Sequence, residues 1–334
     1  MTRTLLQLTL LPLLCTIALA QQVAGQDEGE GRMYMSFYYA PPPAEVSRAA
    51  PVYQGLAMSL DHGQTWQTRG WLTSAVSAIG VSPDDADHLV LGTDYGVLHS
   101  TNAGEEWKLV SGPDMPPVID IVFDGTVIWA ATADGLFQSV DQGNSWRARN
   151  AGLTSANSSY VTGLHFMETS ILISTGDGVY RSTDEGESWS PSGLQDLALR
   201  GIAVHPRFPE HMAAYSTEKG IWVSTDGGRS WTERNKGLRA PLVKAVVFDP
   251  RDRNTLIIGT QIIGVLRSSD LGQTWEQSSG GMTNFNVTTL AFDTISPDRV
   301  YAGAENGSFV SHNRGKSWQP FSVRLGYVSD IWIR

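Results

Sequence analysis

From Met33 onward the apolar residues come in short β-branched runs bounded by glycine, aspartate, asparagine or serine, the pattern of strands separated by turns. Val243–Phe248 (VKAVVF), Thr255–Thr260 (TLIIGT), Gly264–Ser268 (GVLRS) and Thr274–Gln277 (TWEQ) read as four successive strands, A to D. The A pattern returns at Val76–Val81, Val118–Phe123, Val161–Phe166, Leu199–Val204 and Val287–Phe292. Apolar residues occupy both faces of these strands, as expected of sheets sandwiched between two neighbours.

Between C and D stands the pattern Ser-x-(Asp/Asn)-x-Gly-x-x-Trp, at Ser59–Trp66, Ser100–Trp107, Ser139–Trp146, Ser182–Trp189, Ser224–Trp231, Ser268–Trp275 and Ser311–Trp318. A period of about forty residues is the length of one four-stranded propeller blade. The predicted fold is therefore all-β, a seven-bladed β-propeller of four-stranded antiparallel blades. The first unit offers Met33–Tyr39 and Tyr53–Leu60 as strands B and C with no A strand before them, while Tyr327–Arg334, after the seventh box, carries the A pattern. The C-terminal strand is expected to complete blade 1 and close the ring, leaving no open sheet edge.

The box residues are those of a tight turn. The aspartate accepts backbone N–H groups, the glycine supplies the left-handed conformation, and the tryptophan brings a large apolar body with one N–H to satisfy. Asn102 and Asn313 replace the aspartate in two copies. An amide makes the same turn but serves neither as a general base nor as a strong cation ligand, so the boxes read as structural.

This motif, with the preceding Gly-Val-(Tyr/Leu)-(Arg/His)-Ser run at Gly178–Ser182 and Gly264–Ser268, resembles the Asp-box or BNR repeat of sialidases, xyloglucan-active glycosidases, sortilin-type receptor ectodomains and photosystem II assembly propellers. The resemblance spans Met33 to Arg334. It implies that the A–B loops and box turns share one rim and that ligands bind on the other, formed by the B–C and D–A loops. The B–C loops carry Asp94, Tyr95, Asp134, Asp177, Glu218 and Glu305; the D–A loops bring Trp71, Met115, Tyr160, Arg200, Arg239, Phe285 and Tyr327. Of these, Trp71, Tyr95, Tyr160, Arg200, Glu218, Arg239, Phe285, Glu305 and Tyr327 form the expected ligand-binding set, since aromatic faces beside polar groups suit a sugar ring or a peptide. Asp134 and Asp177 read either as Asp-Gly hairpin turns or as an acid–base pair for glycoside hydrolysis.

Two functional readings follow: a non-enzymatic scaffold that binds a protein or glycan on this rim, and a polysaccharide hydrolase acting through Asp134 and Asp177. The sialidase pattern needs an Arg-Ile-Pro type motif near the first blade, and Met33–Pro43 contains no arginine. Xyloglucan-active relatives use a cleft between two propellers with a carboxylate in the first-blade loop, and Met33–Tyr39 has no acid. The photosystem assembly relatives are single rings without an active site and show an arginine patch on one rim, to which Arg200 and Arg239 correspond thinly.

The start of the chain changes the expected location. Met1-Thr2-Arg3, the apolar run from Leu5 and Ala18-Leu19-Ala20 have the parts of a secretory signal peptide cleaved near Ala20, and the run is short for a membrane span. The expected organisation is a signal at 1–20, a polar acidic leader at 21–32 and the propeller at 33–334, exported to a periplasmic or extracellular space. Cys15, the only cysteine, lies within that signal. A formal charge of −10 disfavours nucleic acid as a partner. The seven histidines are scattered, no motif calls for a metal or cofactor, and a monomer is expected. Ala40–Pro51 (APPPAEVSRAAP) is an insertion stiffened by proline between strands B and C of blade 1.

Overall fold

The computed structural model describes residues 31–39, 53–72, 75–238, 242–321 and 326–333. The expected signal peptide, nearly all of the leader and the proline-rich insertion lie outside these residues. The described chain forms seven antiparallel sheets of four strands each. Its only helix among the described residues is one turn, Ala156–Ser159.

Six blades are built from consecutive strands, with A strands at Val76–Val81, Val118–Asp124, Val161–Met167, Gly201–Val204, Val243–Phe248 and Val287–Phe292. The A strand of blade 5, Gly201–Val204, begins two residues later than its apolar pattern suggests. The D strands of these six blades are only two residues long, as at Glu276–Gln277, whereas that of blade 1, Gln67–Leu72, is longer. Blade 1 takes its A strand from the other end of the chain: Tyr327–Ile333 pairs antiparallel with Met33–Tyr39, with Met33 opposite Ile333 and Met35 opposite Ile331. The ring closes as the sequence pattern predicts.

The core lies between blades rather than at the centre of the ring. One apolar cluster joins Met33 and Met35 of blade 1 to Tyr301 and Val310 of blade 7, and another joins Tyr34, Leu56 and Met58 to Ile79 and Leu91 of blade 2. The B strands Leu89–Thr93, Leu256–Thr260 and Val300–Ala304 are buried throughout. In each, the fourth residue is glycine. A Cβ on Gly92, Gly259 or Gly303 would stand 2.8, 2.5 or 2.7 Å from the first valine of the next A strand, Val118, Val287 or Val328. Neighbouring blades approach here as closely as the missing side chain allows.

The boxes are turns. In blade 4, Asp184 Oδ1 accepts the Ser182 hydroxyl at 2.6 Å and the Ser188 N–H at 2.9 Å, while Oδ2 accepts the Ser188 hydroxyl at 2.5 Å. The box tryptophan then crosses to the preceding blade. The indole N–H groups of Trp107, Trp146, Trp189, Trp231, Trp275 and Trp318 donate to carbonyls of Arg69, Val110, Arg149, Ser192, Arg234 and Ser278. Trp66 instead donates to Gly63 of its own box and meets Phe321 edge-on. Each box thus clasps its own blade and fastens it to another.

Candidate functional site

Six of the seven inner strands bend where they enter the ring at the B–C/D–A rim, while Gly201–Val204 pairs with its strand B without a register shift. The register against strand B shifts after Val76, Val118, Val161, Val243 and Val287, and Tyr327–Ile333 shifts likewise beside Ser329. A bulge re-aims the extra residue, and here it turns that residue toward the central channel. Where this residue is a hydroxyl it ties blade to blade: Ser77 donates to Val118 O, Thr162 to Leu199 O at 3.1 Å, Thr288 to Val328 O and Ser329 to Val76 O at 2.8 Å. Arg200 does the same with its Nε, donating to Lys244 O at 3.0 Å. The Lys244 ammonium donates to Asn286 Oδ1 at 3.1 Å, and Asn286 Nδ2 to Glu305 Oε2 at 2.8 Å, which carries the network onto the rim.

The residue after the bulge is acidic in two blades. Asp120 Oδ2 accepts the N–H of Leu164 in blade 4 at 3.2 Å, and Asp330 Oδ2 accepts the N–H of Ile79 in blade 2 at 3.0 Å. Each also accepts the N–H of the residue that follows it. Burial raises both carboxyls to about 6, against these hydrogen bonds, and the charge of Asp120 adds to the rise at Asp330. His165 is half-buried nearby, and its loss of solvent lowers it to about 4. Burial raises Tyr215, whose ring feels Arg200, Asp120 and Asp330. Burial and then the neighbouring Arg200 lower Lys244. All of these line one cavity of about 250 Å³. A second cavity, about 410 Å³, lies at the rim between blades 7, 1 and 2 and is lined by Tyr38, Glu305, Asn306 and Tyr327; Ser329 borders both.

The rim residues expected from the sequence divide into three groups. Tyr95, Tyr160 and Phe285 stand exposed, at 71%, 45% and 43%, Glu218 and Glu305 are exposed, and Tyr327 lines the rim groove. Arg200 sits at the channel mouth. Asp134 is exposed in a turn whose Gly135 has φ 111°. Asp177 is engaged locally, its carboxylate accepting the Tyr180 hydroxyl and the Asp196 N–H, both at 3.0 Å. Met115 packs against the apolar cluster of blades 2 and 3. Trp71 falls within strand Gln67–Leu72 rather than in a loop, and Arg239 lies outside the described residues. Sequence reasoning missed Asp120, Asp330, His165, Tyr215 and Lys244. The signal was an aspartate inside two otherwise apolar A strands, Val118-Ile119-Asp120-Ile121 and Val328-Ser329-Asp330-Ile331.

Comparison with known proteins agrees with this architecture. A family model described as "Sortilin-Vps10: Sortilin, neurotensin receptor 3" matches residues 177–262, across blades 4 to 6. The chain is a seven-bladed propeller whose boxes resemble BNR-type repeats. A structure of YCF48 bound to D1 peptide is 18% identical with a TM-score of 0.60, covering 78% of this chain and 89% of that one. YCF48 from Cyanidioschyzon merolae is 16% identical, with a TM-score of 0.59 and coverages of 76% and 87%. An ancestral GH74 enzyme is 22% identical with a TM-score of 0.66; it covers 92% of this chain, which spans only 49% of the enzyme. Comparison with curated proteins finds no match. Likenesses at these identities concern the fold. No helix among the described residues is long and apolar enough to cross a membrane.

Proposed function

We propose that this protein is an exported, monomeric, non-enzymatic scaffold that holds a protein or glycan partner on the rim formed by its B–C and D–A loops. The observation that carries the reading is the placement of exposed aromatic rings. Among the described residues the exposed ones are Tyr38, Tyr95, Tyr160 and Phe285, and all four stand on this rim. Tyrosine and phenylalanine offer contact area with few rotamers to freeze, and such rings are favoured at interfaces. Beside them lie the rim groove, the Lys244–Asn286–Glu305 network and Arg200. On the opposite rim the Asp or Asn of each box is occupied by its own turn.

The YCF48 structure with a bound D1 peptide is covered over most of its length, whereas the GH74 enzyme is covered over half; this weighs toward binding. Asp177, held by Tyr180 and Asp196, is less free to act as an acid or base. A panel of purified polysaccharides incubated with the protein should therefore yield no new reducing ends. Turnover that disappears in Asp134→Asn and Asp177→Asn variants would establish the hydrolase instead.

A further inference from the structure

The channel goes beyond the rim's macromolecular partner. It contains two acids and two bases that share one cavity, Asp120 and Asp330 on blades 3 and 1, and Arg200 and Lys244 on the adjacent blades 5 and 6. Ion pairs among the described residues involve other groups. Opposite charges facing one space without neutralising each other make a dipolar cavity. Lys244 is the bulge residue of its strand and Arg200 stands immediately before strand Gly201–Val204, whereas Asp120 and Asp330 each lie one residue past their bulge.

We propose that this channel is a binding site for a small zwitterion, with its ammonium between Asp120 and Asp330 and its carboxylate toward Arg200 and Lys244. Each acid receives one backbone N–H on each carboxylate oxygen and keeps a lone pair on each for a cation. Arg200 uses only its Nε on the protein and Lys244 one of its three N–H groups, so both retain donors for an anion. The Tyr215 hydroxyl makes no hydrogen bond among the described residues and stands within the fields of Asp120, Asp330 and Arg200, where it can accept from an ammonium or donate to a carboxylate. A metal ion fits less well, since no group of three metal-ligating side chains exists among the described residues. The cavity, about 250 Å³ and open to the rim, has room for a molecule of the size of a short ω-amino acid.

The test is calorimetric titration of the full chain with δ-aminovalerate, using butylamine and butyrate as singly charged controls. Binding of the zwitterion is expected near or below about 1 mM, with each control at least about tenfold weaker. The Asp120→Asn/Asp330→Asn variant and the Arg200→Gln variant should each weaken it at least about tenfold. Lowering the pH from about 7 to about 5 should weaken it too, as the two carboxyls take up protons; the other titratable groups facing the cavity are His165, Tyr215, Arg200 and Lys244, and blades 2 and 7 present only hydroxyls. No heat or shift with the zwitterion at about 20 mM, equal binding of zwitterion and butylamine, or unchanged binding by a folded Asp120→Asn/Asp330→Asn variant would overturn the inference. The control comparison needs only the wild-type protein, so it stands even if a variant misfolds. A zwitterion that binds while no partner engages the rim removes the scaffold reading alone, and the converse removes this inference alone.

Discussion

Asn313 in the seventh box accepts the Ser311 hydroxyl and the Ser317 N–H at 2.9 Å each and donates its amide to the Ser317 hydroxyl at 2.8 Å. Asp184 makes the same three contacts, with only the direction of the last reversed. Asp184→Asn is therefore expected to leave the denaturation midpoint at neutral pH unchanged. The hydrogen bonds of Ser182 and Ser188 hold the Asp184 carboxyl at about 2, so whatever the charge adds is present above its ordinary value and lost as pH falls toward about 2; the variant should lose part of that acid sensitivity. The channel residues work in the opposite sense. Asp120 and Asp330, raised to about 6, bind protons more tightly folded than unfolded, so their contribution is full below the ordinary carboxylate range and is lost as pH rises through 6. His165, lowered to about 4, contributes fully above its ordinary value and loses that as pH falls toward 4. Over this window one aspartate offsets the histidine. Asp330→Asn should flatten stability between about pH 4 and 6 and raise it at pH 7 by on the order of 2 kcal/mol, measured by urea unfolding at each pH.

At the scale of elements, the box tryptophan joins two blades. Trp189 is 3% exposed and packs with Leu153 and Trp129 of the preceding blade. Trp189→Ala should cost about 3–5 kcal/mol by denaturant unfolding, and a loss below about 1 kcal/mol would mean that the ring contributes little burial. The strands, the turns and the box were legible in the sequence because each has a local signature: β-branched runs, glycine at positive φ, and a carboxylate or amide before it. The A strands were read as apolar on both faces, and this was incomplete. A period-two pattern says which residues share a face, but the bulge that swings Lys244 or Thr288 into the channel is set by pairing with strand B, not by the strand's own composition. Asp120 is therefore placed in the channel by the convergence of the inner strands and not by the composition of its own run.

For the molecule as a whole, closure is the feature that links the two chain ends. Removing residues 328–334 would strip blade 1 of its inner strand, open the seam beside Met33, Met35 and Tyr301, and delete Asp330. The truncated protein is expected to unfold at a clearly lower temperature and to associate through the freed edge; a truncation as stable and monomeric as the parent would contradict the closure. The ring and its shared blade were legible because the unit count and the missing first A strand are both visible in one dimension. The rim was legible only in part. Tyr95, Tyr160 and Phe285 could be placed by loop position alone, whereas Trp71 needed the strand's true end and the channel charges needed the ring's convergence.

The central claim is that partners meet the B–C/D–A rim and not the box rim, and blade 4 presents exposed positions on both, Tyr160 on the first and Thr183 on the second. A photo-crosslinking residue placed at either position and activated in native extract distinguishes them. The scaffold account expects a discrete adduct from position 160 that is lost with Arg200→Glu, and none from position 183. The same adduct from both positions, or adducts from position 183 alone, would contradict it.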